Sequence, residues 1–365
     1  MRSVSSSRIE RWAGRENVEH LSRLHKGWYG PKPIPIASFP GDVRIGRDGD
    51  FVGTFDMGAE ACAEQWLRDN ERRTRAIAFR QGGFVDLTAL RKAPKQVARF
   101  EKTIGVNINF AAGSAWLVGN IPVAAAAPGA APGGTIPTSA SQGAISFRNA
   151  DSGNKLHVVS ADYNCPNVNH NRCALMYDLI FAVNKTMNST ATEAVTGVPT
   201  RYQNTVQGSE DSAENNFLFI QVGLTVLPAT AHNWTVCTYT DQSGNAGATL
   251  PSVTGVSAAA THRLDMPIST WFAPLAAGDT GVQKLTQMQC SALVATGTIH
   301  FMMGHPLCWM FNFTSNYRVS FGGVNNAIQL GRVFDNAALA MLEMPVGSSN
   351  STNLHRADIL LAEGA

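Results

Sequence analysis

The residues best suited to bind a metal ion lie in the segment Cys165-Pro-Asn-Val-Asn-His170-Asn-Arg-Cys173. Two thiolates together with one or two imidazoles, from His170 and the preceding His157, could complete a tetrahedral zinc shell. The spacing is irregular, however, and no fourth ligand is defined. A turn between two strands explains the same residues, as does a disulfide between Cys165 and Cys173. We favour the turn, and we predict neither a metal nor a cofactor.

Motifs for nucleophilic or nucleotide chemistry are incomplete in this sequence. Ser257 follows a glycine at position 255 but lacks the second glycine of a nucleophile elbow. The glycine-rich residues 129–134 continue into Thr135-Ile136-Pro137, where a phosphate-binding loop would enter a helix. Neither segment therefore predicts an active site.

Candidate acids and bases are scattered along the chain. The carboxylates that a hydrolase would need are far apart in sequence, at Asp265, Asp279, Asp335 and Glu343. His300 and His305 point to opposite faces of a strand unless Gly304 breaks it, so we do not expect them to share a ligand. We predict that the protein is not an enzyme.

Basic side chains are in excess near the N-terminus. Residues 1–100 hold 18 Lys and Arg against 12 Asp and Glu, whereas the remaining residues hold 11 against 15. A basic region of this kind suits an acidic partner, although a solvated helix face or a helix dipole explains it as well. A pI of about 8.2 is too mild to indicate binding to nucleic acid, which we do not expect as a partner. The candidate interface residues are Arg11, Trp12, Trp28, Tyr29, Arg68, Arg72, Arg73 and Arg75.

The N-terminal region combines helices with an extended arm. Apolar residues at helical spacing predict short amphipathic helices before residue 28, and the prolines of residues 31–40 enforce an extended path. A further helix is predicted over residues 59–80. Asp86 can cap a shorter helix through Leu87 and Leu90, which Pro94 limits. We interpret residues 1–100 as an anchoring region.

Residues 101–144 are interpreted as a linker or arm, because residues 123–143 are rich in Ala, Pro, Gly and Ser. From residue 145 to 365, short runs of β-branched and aromatic residues alternate with turn residues. This pattern predicts a mainly β fold: an antiparallel, jelly-roll-like β-sandwich. The strand candidates are Lys155–Ser160, Ala174–Val183, Phe217–Leu227, Asn233–Thr240, Lys284–Val294, Thr298–Met303, Tyr317–Phe321 and Ala338–Glu343.

Strict alternation in Asn233–Thr240 predicts one face with Trp234, Val236 and Thr238, and another with Thr235, Cys237 and Tyr239. Only 15% of residues are charged, which is low for a soluble domain and suggests that other subunits cover apolar surface. The six cysteines lack the dense spacing of a disulfide scaffold. Without an export signal or a long apolar run, we expect a protein that is assembled in a cytoplasm and does not enter a membrane.

Three stretches of the second half resemble virion structural proteins of tailed bacteriophages. They are His232-Asn-Trp-Thr-Val-Cys-Thr-Tyr-Thr-Asp-Gln-Ser-Gly-Asn-Ala-Gly, Trp271-Phe-Ala-Pro-Leu-Ala-Ala-Gly-Asp-Thr-Gly and Gln287-Met-Gln-Cys-Ser-Ala. The shared pattern is a strand, a Tyr-Thr-Asp-Gln turn and a Leu-x-x-Gly-Asp-Thr-Gly connection, within residues 145–345. The resemblance assigns no site residues.

This resemblance implies a self-associating component of the virion, assembled in the host bacterial cytoplasm. The leading hypothesis is a capsid decoration or cement protein that forms homo-oligomers, such as trimers, through its β-sandwich and anchors by its N-terminal region. Its partners would be other copies and the capsid or other virion subunits. A collar or tail component, including a glycan-binding module with Trp271 and Trp309, is the alternative. The major capsid protein is a further alternative.

Overall fold

The computed structural model describes the chain in separate ranges, and everything below concerns these ranges. They are residues 44–45, 51–52, 84, 87–104, 116–118, 133–141, 144–164, 172–223, 225–261, 263–267, 270–294, 297–312, 319–322, 330–345 and 353–364.

The described residues form one short helix and a series of strands. The helix α1 spans Leu87–Lys92. The strands of the first half are β1 (Arg44–Ile45), β2 (Phe51–Val52), β3 (Lys95–Ile104), β4 (Trp116–Val118), β5 (Lys155–Asn164), β6 (Arg172–Lys185) and β7 (Glu193–Ala194). Those of the second half are β8 (Phe217–Val222), β9 (Asn233–Asp241), β10 (Ala246–Thr249), β11 (Val253–Thr254), β12 (Val282–Cys290), β13 (Ile299–Asn312), β14 (Val319–Gly322), β15 (Arg332–Val333), β16 (Leu339–Pro345) and β17 (Asn353–Gly364).

The chain divides into two compact units, Met1–Ile77 and Ala78–Ala365. In the first unit, β1 and β2 pair in antiparallel fashion. The second unit contains three antiparallel sheets of five strands each. We call them the front sheet (order β10-β9-β12-β7, with β11 beside β9), the central sheet (order β4-β16-β6-β13-β8) and the back sheet (order β14-β5-β17-β3, with β15 beside β5).

The central sheet is buried on both faces, which explains why its strands read as nearly continuous apolar runs. Along β6, Leu175, Tyr177 and Leu179 belong to one hydrophobic core, while Ala174 and Met176 belong to another. Successive side chains of a strand point to opposite faces, so this division follows directly from the pleat. The central sheet therefore separates two cores.

The front sheet closes the first core. Trp234 of β9 and Leu285 of β12 pack there with Phe301 of β13, and all three are fully buried or nearly so. The Trp234 and Phe301 rings meet edge to face, with centroids 4.9 Å apart. Such pairs add to the burial energy of the aromatic rings and fix how the two sheets face each other.

The back sheet closes the second core, where Tyr163 of β5 and Ile359 of β17 pack against Met341 of β16. On the opposite face of the back sheet, α1 places Leu90 over Val159 and Ala362. The helix predicted between Asp86 and Pro94 is confirmed. Within the described ranges, no helix combines the length and apolar character that a bilayer crossing requires.

The mainly β, antiparallel sandwich prediction is confirmed, and each predicted strand overlaps an observed one. The sequence pattern missed β3 and β17, which pair along their lengths. These strands are less continuously apolar. Along β3, Val97, Arg99 and Glu101 are exposed, whereas Ala98 and Phe100 are buried.

The predicted alternation of β9 is wrong at its start. Trp234 shares the buried face with Cys237 and Tyr239, rather than with Val236 and Thr238. The cause is a bulge: Cys290 of β12 pairs with Trp234 and Gln289 with Val236, so Thr235 is an extra residue. An extra residue shifts every preceding side chain to the other face.

Strand β13 continues through Gly304, where the sequence allowed for a break. Met303 pairs with Phe181 and Gly304 with Leu179, so the irregularity is absorbed by an extra residue on β6. A side chain at Gly304 would collide with the rings of Phe217 and Tyr177. The glycine thus permits close packing here.

The division at residues 100 and 144 stays a prediction. Strands on both sides of it pair within the same sheets, β3 with β17 and β4 with β16. From the predicted linker, Thr135 forms a bridge to Ala182 of β6.

Candidate interaction surface

The candidate interface residues of the N-terminal region all lie outside the described residues. These residues, Arg11, Trp12, Trp28, Tyr29, Arg68, Arg72, Arg73 and Arg75, therefore stay predictions.

The residues of the zinc hypothesis fall partly outside the described ranges, since Cys165 and His170 are not described. Cys173 lies on β6, and its backbone pairs with Phe311 of β13. His157 is fully buried on β5, with its Nε2 3.6 Å from Oε2 of Glu210. In the described part of the chain, no three His, Cys, Asp or Glu side chains are grouped so that they could hold a metal ion.

Glu210 is instead surrounded by cations. Its Oε1 lies 2.5 Å from Nζ of Lys155 and 3.0 Å from Nη1 of Arg332. Burial alone would raise the pKa of Glu210, but the contacts with His157 and Lys155 and the charge of Arg332 outweigh it and lower the pKa. These cations would repel a metal ion. The cluster ties the loop before β8 to strands β5 and β15 of the back sheet.

Two of the scattered carboxylates, Asp279 and Asp335, have separate partners. Asp279 accepts a hydrogen bond of 2.6 Å from the Tyr239 hydroxyl, and burial together with this contact raises the pKa of Tyr239 to about 12. Asp335 accepts a hydrogen bond from the backbone N–H of Ala150. Such bonds hold turns and connections in place.

Two tryptophans that are distant in sequence meet at the surface. Trp271 and Trp309 lie edge to face, with ring centroids 5.1 Å apart, and Trp309 is 38% exposed. Phe272 joins them, with its ring centroid 6.2 Å from that of Trp309 and 4.1 Å from that of Phe217. We call Trp271, Phe272 and Trp309 the aromatic cluster. It runs from the core to the solvent.

Trp309 lies on a part of β13 that extends beyond the end of β8. Strand β8 pairs with β13 from Val222 to Phe217, which lies opposite Gly304. Beyond that point, residues 305–312 of β13 continue to pair with β6, and no described strand lies along their other edge. The connection before β12, with Trp271 and Phe272, packs against this exposed end of the strand.

The aromatic cluster suits two kinds of binding partner. Exposed tryptophans are frequent among the residues that dominate the binding energy of protein interfaces. Their amphipathic rings also suit partners with one apolar and one polar side. Sequence analysis selected Trp271 and Trp309 but missed Phe272, and no sequence signal showed that the three would meet.

No protein-family model matches the chain. No curated protein matches it either.

The matching solved structures include infectious bursal disease virus particles. The Gt strain structure is 10% identical, with 74% of this chain and 79% of that chain covered and a TM-score of 0.18. The T=1 particle derived from this virus is 10% identical, with 75% and 78% covered and a TM-score of 0.18. The VP2 subviral particle is 11% identical, with 76% and 82% covered and a TM-score of 0.17. A likeness at this level does not support an argument about function.

Proposed function

We propose that this protein is a structural component of a tailed-bacteriophage virion, and specifically a capsid decoration or cement protein. In this role it forms homo-oligomers through its β-sandwich and anchors to the capsid through its N-terminal region. The proposal needs no catalytic group and no cofactor.

The resemblance to phage virion proteins supports the proposal most, and the strand, turn and connection of its pattern are present in the fold. Residues 232–247 form β9 and the start of β10, joined by a tight turn. In that turn, Asp241 accepts hydrogen bonds from the backbone N–H groups of Ser243 and Asn245. The Leu275–Gly281 connection then leads directly into β12, which pairs with β9.

The distribution of charge and apolar surface also supports self-association. Charged residues are few, at 15% of the chain, and the exposed apolar side chains include Trp309, Val97 and Leu293. A symmetric oligomer repeats the same interface in every subunit, so even a modest exposed apolar surface stabilises the assembly several times over.

Mass spectrometry of purified particles with copy counting tests the proposal. We expect the chain in the virion at a copy number that matches sites on the capsid lattice. A copy number limited to one ring would indicate the collar or tail instead, and the most abundant chain of the particle would be the major capsid protein. Absence from the particle would refute all three roles.

A glycan-binding tail component is the second candidate, because the aromatic cluster brings together Trp271 and Trp309. Retention of the protein on host surface polysaccharide tests it. Trp309→Ala should abolish retention, whereas Val97→Ala, a change at an exposed site of the back sheet, should not. Failure of the unaltered protein to bind would exclude this role, and new reducing ends would show cleavage.

A further inference from the structure

The segment before β9 buries a histidine between the front and central sheets. His232 is 4% exposed, and its ring stands edge to face with Trp234. Gly255 lies against the imidazole so closely that an added Cβ would be 2.1 Å from Nε2. The backbone N–H of Gly255 also donates a hydrogen bond to the His232 carbonyl oxygen. The imidazole is therefore held in one position.

Both ring nitrogens of His232 face hydrogen-bond acceptors. Nδ1 lies 2.9 Å from the carbonyl oxygen of Thr230, and Nε2 lies 2.8 Å from Oδ2 of Asp265. A carbonyl oxygen cannot donate, and a neutral imidazole has only one N–H. If Asp265 is ionised, both contacts are hydrogen bonds only when the ring carries two protons and a positive charge.

Asp265 accepts two further hydrogen bonds besides its contact with His232. Its Oδ2 also accepts a hydrogen bond of 2.8 Å from Trp234 Nε1, and its Oδ1 accepts one of 2.6 Å from the backbone N–H of Val256. With His232, three N–H donors converge on one buried carboxylate. Donors of this kind stabilise the charged carboxylate.

The pair also connects two sheets. The backbone N–H of Asp265 donates to the carbonyl oxygen of Ile220 on β8, in the central sheet. His232 directly precedes β9 of the front sheet, and Trp234 lies on that strand. The contact between Asp265 and His232 therefore links β8, an edge strand of the central sheet, to the start of β9 in the front sheet.

We propose that His232 and Asp265 form a protonation-dependent clasp between the front and central sheets. The clasp is closed while His232 is an imidazolium and weakens when the ring loses one proton. The released proton goes to solvent, and the neutral ring keeps only one of its two hydrogen bonds. The paired sheets are then held less firmly at this end of the sandwich.

The charged and titratable groups around the clasp agree with this direction. Burial alone would lower the pKa of His232, but the hydrogen bond and charge of Asp265 outweigh it and raise the pKa. Arg263 and Cys290 also interact electrostatically with Asp265. Burial raises the pKa of the Cys290 thiol, so the thiol stays neutral near pH 7. Burial lowers the pKa of Arg263, which nevertheless remains a cation there.

The sign of the stability effect follows from the raised pKa of His232. The clasp contributes fully below the unfolded pKa, at about pH 6.5, and is lost as the pH rises through the folded pKa. Between these values the folded state holds one more proton than the unfolded chain. The unfolding constant should therefore increase by up to about tenfold per pH unit in this window.

Nuclear magnetic resonance of the imidazole nitrogens in the full chain is the direct test. We expect the doubly protonated form of His232 to be lost with a midpoint above that of an unfolded histidine, in the direction that the contact with Asp265 shifts its pKa. A midpoint at or below about 6.5 would overturn the proposal. This measurement uses the unaltered protein, so it decides even if a variant fails to fold.

Urea unfolding between about pH 6 and pH 9 gives the second test. The His232→Gln variant should lose the pH dependence in this window. His305→Gln should keep it above about pH 7, where the His305 ring is neutral in the folded protein and largely neutral in the unfolded chain. Equal pH dependence in His232→Gln and the unaltered protein would refute the clasp.

Discussion

Asp178 and Arg201 form a two-point ion pair inside the sandwich. Nε of Arg201 lies 2.7 Å from Oδ2 of Asp178, and Nη2 lies 2.9 Å from Oδ1. The same Nη2 donates to the carbonyl oxygens of Pro137 and Leu179, and Oδ1 of Asp178 accepts the backbone N–H of Ala338. The pair thus joins β6 to three other segments of chain.

Removing the arginine should be costly, because it leaves a buried carboxylate without its cation. Burial already raises the pKa of Asp178, and Arg201 opposes this. We expect Arg201→Met to lower the free energy of unfolding by about 3–5 kcal/mol. Urea unfolding of the variant and of the unaltered protein measures this difference in free energy. The control is Arg99→Met, which removes an exposed arginine from Asp358 but leaves Arg356 3.5 Å from this carboxylate, so the midpoint should be nearly unchanged. Equal losses in the two variants would contradict this account.

Gly304 should tolerate no larger residue. A Cβ at this position would be 2.6 Å from Cζ of Phe217 and 2.7 Å from Cδ2 of Tyr177. We expect Gly304→Ala to destabilise the fold by about 1–3 kcal/mol through overpacking. The matched control is Gly133→Ala, where the nearest atom is 3.8 Å away. Thermal unfolding of both variants checks this, and a stable Gly304→Ala protein would show that the rings can move aside.

Replacing Ala258 by glycine should stabilise the protein. It is exposed and has a φ of 52°, a left-handed conformation that costs a residue with a Cβ about 1–2 kcal/mol. Glycine loses part of this gain through its larger backbone entropy, so we expect Ala258→Gly to stabilise by about 0.5–1 kcal/mol. Ala260→Gly, at an exposed site that is not in this conformation, should destabilise instead. The denaturant midpoints of the two variants measure these changes in stability. A loss of stability in both variants would contradict the prediction.

His305 should make the fold sensitive to acid. Its ring stacks on Tyr202 at a centroid distance of 3.8 Å, and burial lowers its pKa to about 3. As the pH drops below about 6.5, the histidine becomes protonated in the unfolded chain but stays neutral in the folded protein. The free energy of unfolding therefore falls between about pH 6.5 and pH 3. His305→Gln should flatten this part of the pH profile. Melting temperatures between pH 7 and pH 4 test it, and an unchanged slope would show that other groups dominate.

The acid and alkaline effects can be separated. The His232 clasp contributes fully below about pH 6.5 and is lost above it, whereas the His305 contribution changes only below that value. Each histidine therefore has its own pH window.

Strand content could be predicted well from the sequence, because it depends on local pattern. The apolar runs of β6 and β13, and the alternation of β9, indicate strands before any tertiary contact is known. The short helix α1 follows from Leu87, Leu90 and Pro94 in the same way. Strands β3 and β17 carry more polar residues, so their strand character depends on pairing with each other.

Layers and contacts were decided by the tertiary structure. A single extra residue at Thr235 turned Trp234 towards the core, and local alternation contains no sign of such a bulge. The sharing of β6 between two cores, the meeting of Trp271 with Trp309 and the pairing of His232 with Asp265 join residues from different segments. Sequence by itself determined which residues favour strands and turns. Only the folded chain decided which of them touch, because strand register and sheet stacking are set by long-range packing.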